Sequence, residues 1–265
     1  MKRLDGKVAI ITGARSSKDG REIARGYAKE GATLFLQDWP GNETELVELR
    51  SELLAHGGRV EAGAYNVNST EGAAQLVADA QKAFGKIDIL VNTTAAAGHA
   101  PFFQATEASF RRALDRGVTS YFLMCQAASK VMARTGSGKI INLTSIVGKL
   151  GSGGAVAWGA DRGAVDSMTA AIAQGVGAYG INVVALARGA TDTTPYTPEA
   201  LAERIRRLPF GRVGREDDVV GPAIFLATDD ARWITGTVVY CDGGYTTAAV
   251  TDEPDRPKEF PYRGH

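Results

Sequence analysis

The sequence predicts one α/β domain, a doubly wound parallel sheet of about seven strands with helices on both faces. Three observations lead there. Short runs rich in Val, Ile and Leu alternate with longer stretches of helical period. The short runs are continuously apolar, as strands covered on both faces must be. The first of them ends in a glycine-containing turn that opens a helix. With 265 residues, 44% hydrophobic and 23% charged, the chain has the composition of one globular domain with a large core.

KVAIIT (7–12) is the first strand, its apolar run stopped by Gly13. A helix is expected over 20–30, then ATLFLQ (32–37) as a strand after the breaker Gly31. Residues 42–56 read as helix, RVEAGAY (59–65) as strand and 69–84 as helix. KIDILVN (86–92) is the fourth strand, and one long helix fills about 106–134. GKIINLT (138–144) follows as the fifth strand, then a helix over about 154–178 and INVVALA (181–187) as the sixth. A short helix leads to a further one at 215–228, and TVVYCDGG closes the sheet. No internal repeat or linker interrupts residues 1–250. The Pro-rich, charged tail 251–265 reads as a frayed end or as an arm docked on a neighbouring subunit through Phe260 and Tyr262.

Thirty basic and thirty acidic residues cancel, so no global field favours nucleic acid or an anionic membrane. Two cysteines, Cys125 and Cys241, make neither a disulfide framework nor a zinc cluster, which makes a reducing cytoplasm the expected compartment. The run VAII is too short for a signal peptide, and no window approaches ~18 unbroken apolar residues. No His/Cys/Asp/Glu cluster has metal-ligand spacing, so no metal is expected.

The segment INLTSIVGKLGSGGAVAWGADRGAV (141–165) resembles the catalytic segment of the short-chain dehydrogenase/reductase family, whose members have a Rossmann-like fold. In that family a Ser ends one strand and a Tyr-x-x-x-Lys pair follows on the next helix. Here Ser145 takes the Ser position, Trp158 the Tyr position and Arg162 the Lys position. The resemblance covers about residues 4–246, including Gly236 and the closing Asp242-Gly243-Gly244. It implies a nicotinamide dinucleotide across the turn TGARSSKDG, where Thr12, Gly13 and Gly20 fit the family's Thr-Gly-x-x-x-Gly-x-Gly. The last glycine comes one residue late, and Ser17 or Lys18 replaces the middle one. Asp19 adds a negative charge there, for Arg15, Lys18 or Arg21 to offset.

Further positions carry over from the same resemblance. Asp38, after the second strand, would accept from the ribose hydroxyls and favour NAD over NADP; its alternative is a strand-end turn acid. Asn66, Asn92, Arg188 and Thr193 fall on the family's adenine, Asn-Asn-Ala-Gly, Pro-Gly and nicotinamide-amide positions; Asn92 keeps the first Asn of its motif and Thr193 the family Thr, while Asn66 and Arg188 replace the family's Asp and Pro. Gly117 takes the place of the Asn that holds a proton-relay water.

The chemistry of these replacements is direct. A tyrosine hydroxyl near a cation can pass a proton. An indole has one N–H and no acid–base pair near neutral pH, and a guanidinium stays charged. Proton transfer by a positioned group contributes on the order of 10²–10⁴ in rate, which the usual mechanism would forfeit here. Trp158 and Arg162, at i and i+4, share a helix face and are expected to stack and plug the cleft. The alternative is an anion or oxyanion site made by Arg162 and Arg188. Ser145 either binds a substrate oxygen or caps the next turn. His99 is the histidine best placed for acid–base work, with Tyr65 and Tyr196 as further cleft candidates.

Three functions follow. The first is a non-catalytic subunit in a tetramer, with an active paralogue as partner, of the kind found among acyl-CoA dehydrogenases, and with no NAD or only weak NAD binding. The second is an NAD-dependent oxidoreductase with a rearranged acid–base site. The third is a cofactor-independent lyase, isomerase or dehalogenase-like enzyme using Ser145 and Arg162.

Overall fold

The computed structural model describes residues 2–94, 100–192 and 196–247. Its centre is a parallel sheet in the order β3-β2-β1-β4-β5-β6-β7. The strands are β1 (Val8–Thr12), β2 (Thr33–Asp38), β3 (Arg59–Ala64), β4 (Ile89–Asn92), β5 (Gly138–Ser145), β6 (Ile181–Arg188) and β7 (Val238–Cys241). Every residue of β1, β4 and β5 is buried, in keeping with their unbroken apolar runs.

The helices are α1 (Lys18–Lys29), α2 (Glu43–Ala55), α3 (Thr70–Phe84), α4 (Glu107–Leu114), α5 (Ser120–Thr135), α6 (Val147–Leu150), α7 (Val156–Val176), α8 (Pro198–Arg207) and α9 (Val220–Ala227). Residues of α1, α2 and α9, such as Ile23, Leu49 and Ile224, pack on one side of the sheet with Ile11 and Leu34. Residues of α3, α5 and α7, such as Leu76, Met124 and Ala173, pack on the other with Ile10 and Val183. The strand order turns around between β1 and β4, so a ligand crevice opens outside their carboxyl ends.

Two local features depart from the sequence expectation. The long helix over 106–134 is two helices joined by a turn of π-helix at Asp115–Thr119, with Gly117 buried in it. The segment after β5 carries the short helix α6 before α7. The tail 251–265, with Phe260 and Tyr262, lies outside the described residues, as do His99 and Thr193. No described helix is long and apolar enough to cross a membrane.

Candidate active-site cleft

The β1–α1 turn keeps the close helix–strand packing that its glycines permit. Gly13 has a φ of 62°, and a Cβ at Gly20 would stand 2.7 Å from the Gly13 carbonyl oxygen. Gly20 therefore does the packing work of the last glycine in spite of its late position. Ser17 caps α1 by accepting the Gly20 N–H at 3.2 Å. Asp19 is buried, and its countercharge is Arg188, at 2.9 Å across the crevice from the end of β6. Arg188 was not among the cations expected to offset it; of those, Lys18 and Arg21 each lie 3.6 Å from Glu216. Burial pushes the Asp19 carboxyl above the usual carboxylate range; Arg188 opposes the rise, and Lys18 does so through its charge.

Asp38 is fully buried at the end of β2. Its Oδ2 accepts the backbone N–H groups of Arg15 (2.8 Å) and Ser16 (2.7 Å). Its Oδ1 accepts from the Trp39 N–H (2.8 Å) and the Asn42 amide (2.7 Å). A carboxylate offers about four lone-pair sites, and these four donors fill them. The amides of the turn thus face an internal carboxylate. The turn-acid alternative for Asp38 describes these hydrogen bonds.

Asn92 is also internal. Its amide donates to Asn142 at 2.9 Å, and Asn142 donates to Thr169 at 3.0 Å, a buried polar chain joining β4, β5 and α7. Asn66 is exposed in the turn before α3 and accepts the Asn68 N–H. Thr12 is buried in β1, and its carbonyl accepts from the Thr93 hydroxyl at 2.6 Å. Tyr65 lies away from the cleft and donates to Asp79 at 2.9 Å, while Tyr196 sits under Arg204 near α8.

The structure brings Ser17, Asp19, Ser145, Trp158, Arg162 and Arg188 around one cavity of about 190 Å³. That is below the roughly 300–1,000 Å³ of ordinary ligand pockets. Ser145 and Arg188 are register partners on β5 and β6, and the Ser145 hydroxyl lies 3.5 Å from the Val147 N–H, the position of a turn cap. Trp158 is half-buried on α7.

Arg162 is 3% exposed and its guanidinium lies over the Tyr121 ring, 5.3 Å from the centroid, not on the Trp158 indole. The expected stack is thereby corrected, because stronger partners lie on the inner side. Nε and Nη2 donate to Asp161 Oδ2 at 2.9 and 2.6 Å. Nη1 donates to the Leu143 carbonyl at 2.7 Å and the Tyr121 hydroxyl at 3.2 Å, and Nη2 to the Thr94 carbonyl at 3.3 Å. A guanidinium has five N–H donors, and these contacts use all five. Burial works against its charge, but Tyr121 and Asp161 outweigh it and keep the group protonated. The Tyr121 hydroxyl, fully buried, is pushed up to about 12 by burial, with Arg162 opposing.

One more acid sits behind the cleft. Asp166, one turn beyond Arg162, has an Oδ1 that is buried without a partner. Burial raises its carboxyl, against the opposing effects of Thr144 and Arg162. The folded chain therefore holds this proton more tightly than the unfolded chain, and stability falls as pH rises above about 4 through the raised value. Asp166→Asn is expected to raise the melting temperature by roughly 2 °C at pH 8, a small effect for a partly solvated group. The gain should close below about pH 4. Melting curves across pH check this, and a gain that persists at low pH contradicts it.

A family model described as enoyl-(acyl carrier protein) reductase matches residues 14–246. The chain belongs to the short-chain dehydrogenase/reductase family. It is 34% identical over 257 residues to a sorbitol dehydrogenase of Cereibacter sphaeroides, covering 91% of this chain and 98% of that one. It is 31% identical over 246 residues to the 7alpha-hydroxysteroid dehydrogenase of Escherichia coli K12, covering 91% and 95%. A gluconate 5-dehydrogenase from Burkholderia cenocepacia J2315, solved with NADP and tartrate, superposes with a TM-score of 0.88 at 28% identity, covering 93% of this chain and 98% of that one.

Within the short-chain dehydrogenase/reductase pattern, sequence reasoning finds Trp158, Arg162 and Arg188 as cleft residues. It misses Asp161 and Tyr121, which complete the Arg162 cluster. The one signal for Asp161 was Gly117, a glycine inside a helical stretch.

Proposed function

We propose that this chain is a non-catalytic member of its family, a subunit of an oligomer that does not carry out hydride transfer at its own cleft. The single observation behind this reading is the saturation of Arg162, whose five donors all point to protein acceptors. A cation in this position assists chemistry only if it can face a phenol, a ribose or a developing oxyanion. This one has no donor left for any of them, which counts equally against a cofactor-independent oxyanion site built on Ser145 and Arg162.

A nicotinamide dinucleotide is the cofactor that the family implies, and the residues present do not fit it. The ribose acid Asp38 has its acceptor sites filled, and the Asp19–Arg188 pair bridges the crevice where a pyrophosphate would lie. Arg188 is held on Asp19 there, so a pyrophosphate would have to compete with the carboxylate for that guanidinium. The partner in this reading is a paralogue with an intact Tyr-x-x-x-Lys pair in a mixed tetramer. A second reading, an NAD-dependent oxidoreductase, draws on neighbours such as a 7 alpha-hydroxysteroid dehydrogenase solved with NADH, at a TM-score of 0.86 and 30% identity.

Titration of the purified chain with NADH and NADPH, followed by nicotinamide fluorescence and calorimetry, separates the two. The expected result is no saturable binding up to about 1 mM, a threshold weaker than ordinary cofactor affinities. Saturable binding below about 100 µM, with turnover lost in Ser145→Ala, would establish the second reading.

A further inference from the structure

We infer that Gly117, Asp161 and Arg162 form one interdependent unit, in which the glycine clears the space that the Asp161 carboxylate occupies and that carboxylate positions the Arg162 guanidinium. Asp161 and Arg162 are consecutive on α7, and consecutive helical side chains point in directions about 100° apart and do not face each other. A charge-assisted contact forms between them all the same, and the Asp161 carboxylate stands against the backbone of residue 117. A Cβ built on Gly117 would fall on the carboxylate itself, meeting Oδ1, Cγ and Oδ2 together.

Glycine inside a helix is destabilising relative to alanine, and nothing about the φ of Gly117 requires it, since its conformation is not left-handed. Contact with Asp161 supplies the reason. The backbone there also widens into a π-turn, Asp115–Thr119. Asp161 is itself fully buried and uses only Oδ2 on Arg162, while Oδ1 has no hydrogen-bond partner. A carboxylate placed so imperfectly is not there for its own hydrogen bonding. Its consequence is to fix the guanidinium, whose other donors then reach β5 at Leu143, α5 at Tyr121 and, two residues past β4, Thr94. Asp161 is thus a positioning residue, and Gly117 is its seat.

The unit closes position 117 to any side chain while Asp161 remains. It also means that replacing Trp158 by Tyr and Arg162 by Lys cannot by itself rebuild a family-type relay, because residue 117 stays blocked. The inference holds whether or not the chain binds NAD, so its failure and that of the non-catalytic reading are separate outcomes.

A mutant cycle on the full chain tests it, read by melting temperature. Gly117→Ala alone is expected to lower the melting temperature by about 5 °C or more. In the Asp161→Ala background the same change should cost nothing or raise it, because the space is then free and alanine is the better helix former. In the Asp161→Asn background, which keeps the shape and removes the charge, the cost should return. A Gly117→Ala chain that is insoluble alone but folds with Asp161→Ala supports the unit in the same way. Equal effects of Gly117→Ala in all three backgrounds, insolubility in all of them, or a gain in the parent chain overturns it.

Discussion

Arg162→Lys is expected to lower the melting temperature by roughly 10 °C, although it restores the residue type the family uses at this position. The reasoning starts from geometry. The guanidinium reaches four groups, on α7, β5, α5 and the segment just after β4, with five donors. An ammonium has three donors around one point and cannot span that spread. Replacement strands buried acceptors and leaves Asp161, fully buried, without its bidentate partner. Lysine keeps the charge but not the donors, and each buried acceptor left unpaired costs about 1–3 kcal/mol. For a domain of this size each kcal/mol moves the melting point by roughly 2–4 °C. An exposed pair such as Arg111–Glu107 is the control, and Arg111→Lys should change the melting point by less than about 2 °C. Thermal melts of the two variants side by side decide the matter. A stable Arg162→Lys chain would mean that a cation of either shape satisfies the site, and the saturation argument would lose its force.

How much of this was legible in the sequence depends on the range of the interaction. The sheet was legible because each strand is a local apolar run closed by a breaker: VAIIT before Gly13, INVVALA before Arg188-Gly189. The cleft residues were legible because Ser145, Trp158 and Arg162 stand at fixed spacing along one chain segment. Their partners were not. Arg188 meets Asp19 across the sheet, from a strand near the other end of the chain. No periodicity links two such residues. The saturation of Asp38 rests half on backbone N–H groups of Arg15 and Ser16, and every residue but proline has one. The Asp161–Arg162 contact is hidden for the opposite reason: helical spacing says that neighbours do not meet, and only the space over Gly117 lets them. The predicted stack of Trp158 and Arg162 failed on the same ground. The i, i+4 rule places the two on one face, but it carries no information about the buried acceptors on the inner side, which bind the cation more strongly than an indole face does.

Asp38→Ala carries the second large effect, and it separates a structural acid from a cofactor acid. If Asp38 served a ribose, its removal would weaken dinucleotide binding and leave the unliganded fold nearly intact. The hydrogen bonds require the reverse. Removing the carboxylate leaves the Arg15 and Ser16 amides, the Trp39 amide and the Asn42 side chain without their acceptor. Hydrogen bonds to a charged group are worth about 1.5–3 kcal/mol each, but they share one acceptor and are not additive, and water can reach part of the turn. A net loss of about 3–4 kcal/mol is therefore expected, or a drop of roughly 10 °C in melting temperature with no cofactor present. Because two of the lost bonds hold the β1–α1 turn, amide exchange at residues 15 and 16 should rise toward the rate of an open loop, while the amides of β5 stay protected. Asp38→Asn sharpens the result: it keeps one acceptor oxygen but puts an NH₂ donor against donors, so it should recover little of the loss. A variant that melts like the parent chain, with its turn amides still protected, would return Asp38 to the ribose and reopen the crevice as a nucleotide site.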